Sequence, residues 1–383
     1  MIKILAIAPY PIYPTDSGGR KAVFLFYKYL SLEVPVSIVT VAGTSYPEEF
    51  KAKILPWLGP SRFRYLNLFL VFRMYRLIRN QGYTHLLLEH PYFGWLGWAL
   101  NRLCGIPLVV RSHNIEGMRF KSIGKYWWRI LWTYEKWTYK KADPVFFITG
   151  EDREFAIKTF GLNDSKCMTV PYGTELRASP SVTQRMEAKQ FLMDKYSIKP
   201  GTQILFFNGT LAYKPNLDAL DFILHTLNPE LYHANRQAYK IIVTGSRLPP
   251  QYDHLNDFRG QNIIYAGFVP EIEPFYLGSD LFLNPVNDGG GVKTKLVEAL
   301  AYNLSVVSTL KGAHGVPLKY TGEKMKIAET EMKGKFSEAL YTMDTRANIP
   351  VAFYDYYYWG NISKEVKRIL SSRISGSGQA FPQ

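Results

Sequence analysis

Short, continuously apolar runs alternate with stretches of helical spacing along almost the whole chain, and this rhythm constrains the fold more than any single motif. A strand apolar at every position is covered on both faces, which is the condition of a parallel sheet with crossover helices. The first half predicts strands at residues 3–8, 36–41, 85–88, 108–112 and 145–149, with helices at 19–30, 66–79 and 125–141. The second predicts strands at 203–207, 240–244, 263–266, 281–284 and 305–308, with helices at 216–227 and 272–277. Between them, residues 171–200 carry the polar pieces SPSVTQ and SIKPGTQ and read as a linker region. A length of 383 residues suits two cores of similar size. The expectation is an α/β chain of two Rossmann-like domains, 1–170 and 201–350, facing a central cleft. Ligands of open α/β sheets gather at strand carboxyl ends and at domain interfaces. Residues 371–383 are small and polar and read as a disordered tail.

Surface chemistry narrows the function classes. A formal charge of +14 attracts anions, whether nucleic acid, acidic lipid or a phosphorylated substrate. Cys104 and Cys167 have no metal or disulfide spacing, so a cytoplasmic location is expected. The apolar start is too short for a signal peptide and is broken by Pro9, Pro11 and Pro14. Runs at 65–78 and 86–100 are too short to span a bilayer; Arg73 and Arg76 lie in the first, Glu89, His90 and Pro91 in the second.

The most specific stretch is NPVNDGGGVKTKLVEALAYNLSVVST, residues 284–309. It reads as a strand, a turn at Gly289, Gly290 and Gly291, a helix carrying Glu298, and a second strand. Three glycines let the backbone turn sharply and approach a ligand, and the following helix aims its unpaired N–H groups at the turn, as an anion site does. Glu298 is expected seven residues into the helix, roughly 10 Å along it, within reach of a ribose whose diphosphate sits on the glycines. Val292 and Lys293 close the turn as part of the expected donor site; Lys293 and Lys295 can add charge near phosphate, and Lys295 can also pair with Glu298 on the helix surface, the two readings being compatible.

Weaker signals sit at other strand ends. Asp16-Ser17-Gly18-Gly19-Arg20 follows the first strand, with Gly18 and Gly19 open to a bound group and Arg20 able to pair with an anion; the alternative is a plain glycine hinge. In SHNIE, His113 is a candidate to touch a donor-sugar hydroxyl, and Glu116 is either an acceptor-side base or a helix cap. Thr210, Lys214 and Asn216 follow a strand, with Lys214 read against a leaving diphosphate or simply as a solvated lysine, and Asn216 as an N-cap. Phe268 and Val269 offer a loop on which a base can rest, or a hydrophobic plug. On the helix around 121–141, Trp127, Ile130, Tyr134 and Trp137 share a face expected to be the core side. Lys125, Arg129, Lys136 and Lys140 gather opposite, among Trp128, Trp132 and Tyr139. That mix suits an anionic membrane; single-stranded nucleic acid and indoles packed under loops are the alternatives.

Together, PYPIYPTDSGGRKA, SHNIE, VPYGTE, NGTLAYKPN, GFVPEIEPFYLGSDLFLNP and NDGGGVKTKLVEALAYNLSVVST resemble the retaining, GT-B-fold glycosyltransferases of family 4, also called group 1. The resemblance implies an acceptor-binding first domain, a nucleotide-sugar-binding second domain, and a final helix within 351–370 that crosses back to the first. It implies no metal or other cofactor. Glu298 matches the second glutamate of the family's E-x7-E pattern, which looks like the ribose ligand. Two positions depart: Gly290 stands where the first glutamate falls, leaving Asp288 as a candidate for the sugar contact, and Thr210 stands where an arginine is common. The expected catalytic set is therefore His113, Lys214 and Asp288. Expected partners are a nucleotide-sugar donor, a glycan or lipid-linked acceptor and an anionic membrane surface, with no nucleic acid. A sugar-nucleotide epimerase and a catalytically silent binding subunit are the rival readings.

Overall fold

The computed structural model describes residues 1–374 apart from 16, 43–45 and 333. The chain divides into two compact units, one of Met1–Glu175 with Tyr357–Gln383 and one of Leu176–Tyr356. The first unit runs β1 (Ile4–Ile7), α1 (Gly18–Glu33), β2 (Val36–Val41), β3 (Lys53–Leu58), α2 (Phe69–Gln81), β4 (His85–Glu89), α3 (Gly94–Cys104), β5 (Leu108–Ser112), α4 (Glu116–Ser122), α5 (Trp128–Lys141), β6 (Val145–Phe147), α6 (Gly150–Phe160) and β7 (Cys167–Thr169). Its strands are parallel in the order β3-β2-β1-β4-β5-β6-β7. Alternate strand residues point to opposite faces. Leu5, Ile7, Leu86, Leu88, Val110 and Phe147 meet Leu70, Met74 and Ile78 of α2, Leu96 and Leu100 of α3, Tyr139 of α5 and Phe160 of α6.

The second unit runs α7 (Val182–Lys195), β8 (Gln203–Thr210), α8 (Lys214–Phe222), α9 (Asn228–Ala234), β9 (Tyr239–Ser246), β10 (Ile263–Gly267), α10 (Glu273–Gly278), β11 (Leu281–Asn284), α11 (Thr294–Ala301), β12 (Ser305–Ser308), α12 (Leu318–Thr321), β13 (Met325–Ile327), α13 (Lys335–Tyr341) and α14 (Val351–Tyr357). Its parallel sheet has the order β10-β9-β8-β11-β12-β13. The chain then re-enters the first unit as α15 (Trp359–Ile374), which packs on α1.

That return is closed by VPYGTE. Thr174 N–H donates to Tyr357 O at 2.7 Å and Trp359 N–H to Thr174 O at 3.0 Å. Trp359 is fully buried, 5.6 Å from Tyr172 and 6.4 Å from Phe26. A Cβ on Gly173 would come within 2.7 Å of the indole, so the backbone needs glycine there.

Two expectations are corrected. Residues 171–200 are not a plain linker, because α7 occupies half of them. Ser181 and Gln184 form a capping box, and Arg185 donates to the carbonyls of Leu277, Ser279 and Asn303. Of the tail expected at 371–383, residues 371–374 finish α15 and the rest lie outside the described residues.

Candidate active site

In the second unit the glycine turn joins β11 to α11. Lys293 Nζ donates to the carbonyls of Gly289, Gly291 and Gly290 at 2.7, 3.2 and 3.4 Å. In a trans peptide the C=O and the following N–H point in opposite directions. The amides of Gly290, Gly291 and Val292 are therefore turned away from the lysine, toward the other side of the loop. Gly289 and Gly291 have φ of +89° and +69°, where a Cβ costs about 1–2 kcal/mol. Asp288 Oδ1 accepts the Gly289 N–H at 2.7 Å. Lys293 is a strut for the turn.

The helix begins at Thr294, so Glu298 is its fifth residue and not its seventh. Tyr276 Oη donates to Glu298 Oε2 at 3.3 Å, and Asn208 Nδ2 donates to the same phenol oxygen at 2.9 Å. Tyr276 also stacks on Tyr302, 5.5 Å away. The carboxylate is thus oriented from β8 and α10. Lys295 does not pair with Glu298 on the surface. Its amine is enclosed, donating to Asn208 O at 2.9 Å and Asn216 Oδ1 at 3.0 Å; burial and then Lys293 push it down to about 7. Asn216 is the third residue of α8, not its N-cap, and its Nδ2 donates to Thr210 O at 3.1 Å. Lys214 is exposed, its ammonium 2.7 Å from Asp218 one turn on. Phe268 is exposed and Val269 half-buried, after Gly267 at φ +68°.

In the first unit the strand ends carry buried charge. Gly18 and Gly19 make the first turn of α1 after β1, with open space above Gly19, and Arg20 is half-buried beside them. Asp16 lies outside the described residues. The β4–β5 register sets Glu89 beside Arg111. The buried Glu89 accepts from Arg111 Nη1 at 3.2 and 3.4 Å and from His113 Nε2 at 2.5 Å. Burial alone would raise the Glu89 carboxyl, but Arg111 and His113 outweigh it and hold it down to about 2. Burial and then His90 push His113 down to about 4. At neutral pH the pair is a carboxylate and a neutral imidazole. Since a carboxylate only accepts, the imidazole proton is on Nε2 and Nδ1 is left as an acceptor.

His90, the next residue, adopts φ +65° and ψ 164°, a conformation that costs a non-glycine residue about 1–3 kcal/mol. It stacks on His113 at 4.3 Å, and its Nε2 is 2.9 Å from Tyr10 Oη. Sequence reasoning saw Glu89 and His90 only as interruptions of an apolar run. Glu116 does not cap α4 as the alternative reading expected. Ile115 is the N-cap of α4, and the buried Glu116 carboxylate accepts from Tyr92 Oη at 2.5 Å and from Arg119 Nη2 at 2.5 Å and Nε at 2.9 Å. Burial opposes ionisation, but His90 and Arg119 hold this carboxyl well below the usual range.

A model of the glycosyl transferases group 1 matches residues 202–342, and a model of Glycosyltransferase Family 4 matches residues 23–177. The chain belongs to the family 4, group 1 glycosyltransferases. A Klebsiella pneumoniae protein described as an uncharacterized 44.6 kDa protein in the cps region is 28% identical to it, over 87% of this chain and 89% of that one. The Escherichia coli UDP-Gal:α-D-GlcNAc-diphosphoundecaprenol α-1,3-galactosyltransferase is 21% identical, over 62% of this chain and 61% of its own. The fold is that of GT-B structures. Sucrose-phosphate synthase from Thermosynechococcus elongatus superposes with a TM-score of 0.74 at 12% identity, over 98% of this chain and all of that one. Anabaena HepE with UDP-glucose gives 0.68 at 14%, over 97% of this chain and all of that one.

The face of this glycosyltransferase read as a membrane contact is rotated from the one expected. In α5 the buried residues are Leu131, Glu135, Thr138 and Tyr139, while Trp127 and Ile130 are exposed. The cause is Glu135. Its two oxygens accept the Glu116 and Gly117 N–H groups at 2.9 Å each, and Tyr139 Oη donates to it at 2.7 Å. A buried carboxyl that caps α4 from within turns the helix in a way that apolar spacing does not reveal. Trp132 is consequently not a solvent-facing indole, since it packs on Phe160 at 4.9 Å and Phe155 at 5.6 Å. Lys125, Arg129 and Lys140 are exposed and Lys136 is half-buried; half-buried Trp128 has Lys121 at 5.1 Å and Arg129 at 5.5 Å over its ring. Among the described residues no helix is long and apolar enough to cross a membrane.

Proposed function

We propose that this glycosyltransferase moves a sugar, with retention, from a nucleoside diphosphate sugar to a hydroxyl of a lipid-linked glycan acceptor in cell-surface glycan synthesis. The observation that carries the donor half is the glycine turn. Lys293 gathers its carbonyls, leaving the amides of Gly290, Gly291 and Val292 to meet a diphosphate ahead of α11. Tyr276 holds Glu298 to meet the ribose. Phe268 and Val269 offer the base a resting place. The acceptor half is supported by the name of the Escherichia coli relative and by the cps-region relative.

In the proposed reaction the anomeric C–O bond to diphosphate breaks through an oxocarbenium-like state, and the acceptor oxygen bonds to the same face. The departing phosphate takes the acceptor proton, since no protein nucleophile is identified. Amides and helix dipole stabilise the leaving group, with Lys214 joining once it leaves Asp218. His113 offers Nδ1 to a sugar hydroxyl, and Asp288 is the candidate for the sugar contact. In this proposal Gly18 and Gly19 contact the donor and Arg20 serves on the acceptor side. The proposed location is cytoplasmic, at the membrane surface, with Lys125, Arg129 and Lys140 toward anionic lipid.

A screen of UDP-, GDP-, ADP- and dTDP-sugars without added metal, read by thermal shift and donor hydrolysis, tests this. One nucleotide class should stabilise the protein, and Glu298→Ala should abolish the shift. No shift with any donor would overturn the reading. A shift without turnover across acceptors would favour a silent binding subunit, a reading supported by Thr210 replacing the family arginine and by Lys214 being engaged with Asp218.

A further inference from the structure

The helix α2 and the turn before it are a second, stronger surface. Leu70, Met74 and Ile78 bury one stripe of α2 in the core, which accounts for the apolar spacing the sequence displays. The outer side nevertheless carries Phe63, Leu66, Leu68, Phe69 and Phe72, each between 56% and 85% exposed. Scattered exposed apolar residues are ordinary, whereas five large ones within ten positions form a patch that soluble surfaces rarely leave open.

Its charge is equally one-sided. Lys51, Lys53, Arg62, Arg64, Arg73, Arg76 and Arg79 fall between residues 51 and 88, and no Asp or Glu does. The Arg73 guanidinium lies over the Trp57 ring at 3.8 Å and that of Arg76 over Phe72 at 4.1 Å, so cationic heads are stacked directly on aromatic faces of the patch. Further on, α3 packs between α2 and α5, so the three helices share one layer of the unit. Within it, exposed Trp98 stands on α3, and Tyr126, Trp127 and Ile130 are exposed at the start of α5.

We propose that the 62–79 segment inserts into the headgroup layer of an anionic bilayer, with Phe63, Leu66, Leu68, Phe69 and Phe72 entering the acyl boundary and the arginines binding lipid phosphate. Charge complementarity selects this occupant. A second copy seated on the same patch would oppose one cationic rim to another, while acidic lipid neutralises it. The inference deepens the membrane part of the proposed function and rests on that part alone, not on the donor site.

The test is co-sedimentation of the full chain with vesicles of phosphatidylcholine, with and without phosphatidylglycerol. Two double variants spare the buried stripe: Phe69→Ser with Phe72→Ser, and Arg76→Ser with Arg79→Ser. The first should weaken partitioning at least tenfold at any salt. The second should weaken it several-fold only on anionic vesicles, with the loss vanishing at high salt. Both should keep the wild-type melting temperature and the donor-induced thermal shift, which separates failure here from failure of the donor reading. Unchanged binding in both variants overturns the proposal. So does loss of binding only when Lys125, Arg129 and Lys140 are neutralised, which would leave α5 as the sole contact. A concentration-dependent dimer in sedimentation velocity that Phe69→Ser with Phe72→Ser abolishes would overturn it in favour of a second copy.

Discussion

The strand ends of the two units solve the problem of charge in opposite ways. In the first unit, buried carboxylates are paired with side-chain donors: Glu89 with Arg111 and the neutral His113, Glu116 with the half-buried Arg119. In the second, the turn after β11 offers backbone amides, and its charged side chains either brace the loop, as Lys293 does, or lie exposed, as Asp288 and Lys214 do. Buried pairs are rigid but intolerant, because removing one partner strands the other in a low-dielectric site. Backbone sites tolerate side-chain change and depend on conformation instead. Substitutions at the first unit's strand ends should therefore strike stability, and those at the second's should strike binding.

The largest expected effect is that of Glu89→Gln, which leaves Arg111 uncompensated and should cost about 3–5 kcal/mol in urea unfolding. Asp288→Asn in the exposed turn should stay within about 0.5 kcal/mol. Equal losses at the two positions would break the contrast. Next comes pH. His113 is held at about 4 in the fold against 6.5 for the free group. The unfolded chain thus binds the extra proton in that window, and His113 contributes stability that is present above about 6.5 and lost as pH falls toward 4. Glu135 works the other way: burial raises it to about 7 from 4.5, so its contribution is present at low pH and lost as pH rises through 7. Replacing His113 by Gln should remove a slope of about 1 kcal/mol per pH unit between pH 6.5 and 5, measured as the difference in unfolding free energy from wild type. A pH-independent difference would mean that Glu89 and His113 do not share the charge state derived from their geometry. The smallest effect is expected at Tyr276→Phe, which removes one hydrogen bond to Glu298 without unpairing a buried charge. Nucleotide affinity measured by titration calorimetry should fall by about fivefold, roughly 1 kcal/mol, with the melting temperature unchanged. A loss of folding with affinity intact would make Tyr276 a packing residue only.

The fold was legible where strands are buried on both faces. β2 and β5 are buried along their whole length and read directly as apolar runs. The edge strand β3 was not, because its exposed and half-buried residues and a proline, Pro56, imitate a loop. Nor were β7 and β13, three residues each. The glycine turn was legible because backbone conformation dictates residue type there. The Glu89–His113 pairing was not, since its partners are 24 positions apart and only the sheet register brings them together. Glu135 misled the reading of α5 for a related reason: its partners are N–H groups of another helix, which leave no trace in side-chain spacing.

The burial of Trp359 has a consequence for how the protein is made. The ribosome emits β1, α1 and the rest of the first unit early, yet the indole that covers Phe26 and Tyr172 leaves only after residues 176–356 have been threaded out. During synthesis the second unit can therefore mature while the first still waits for its closing helix, with the apolar side of α1 uncovered. For that interval the nascent chain is half-finished at its older end, and the pace of translation through its middle sets how long chaperones must shield the beginning.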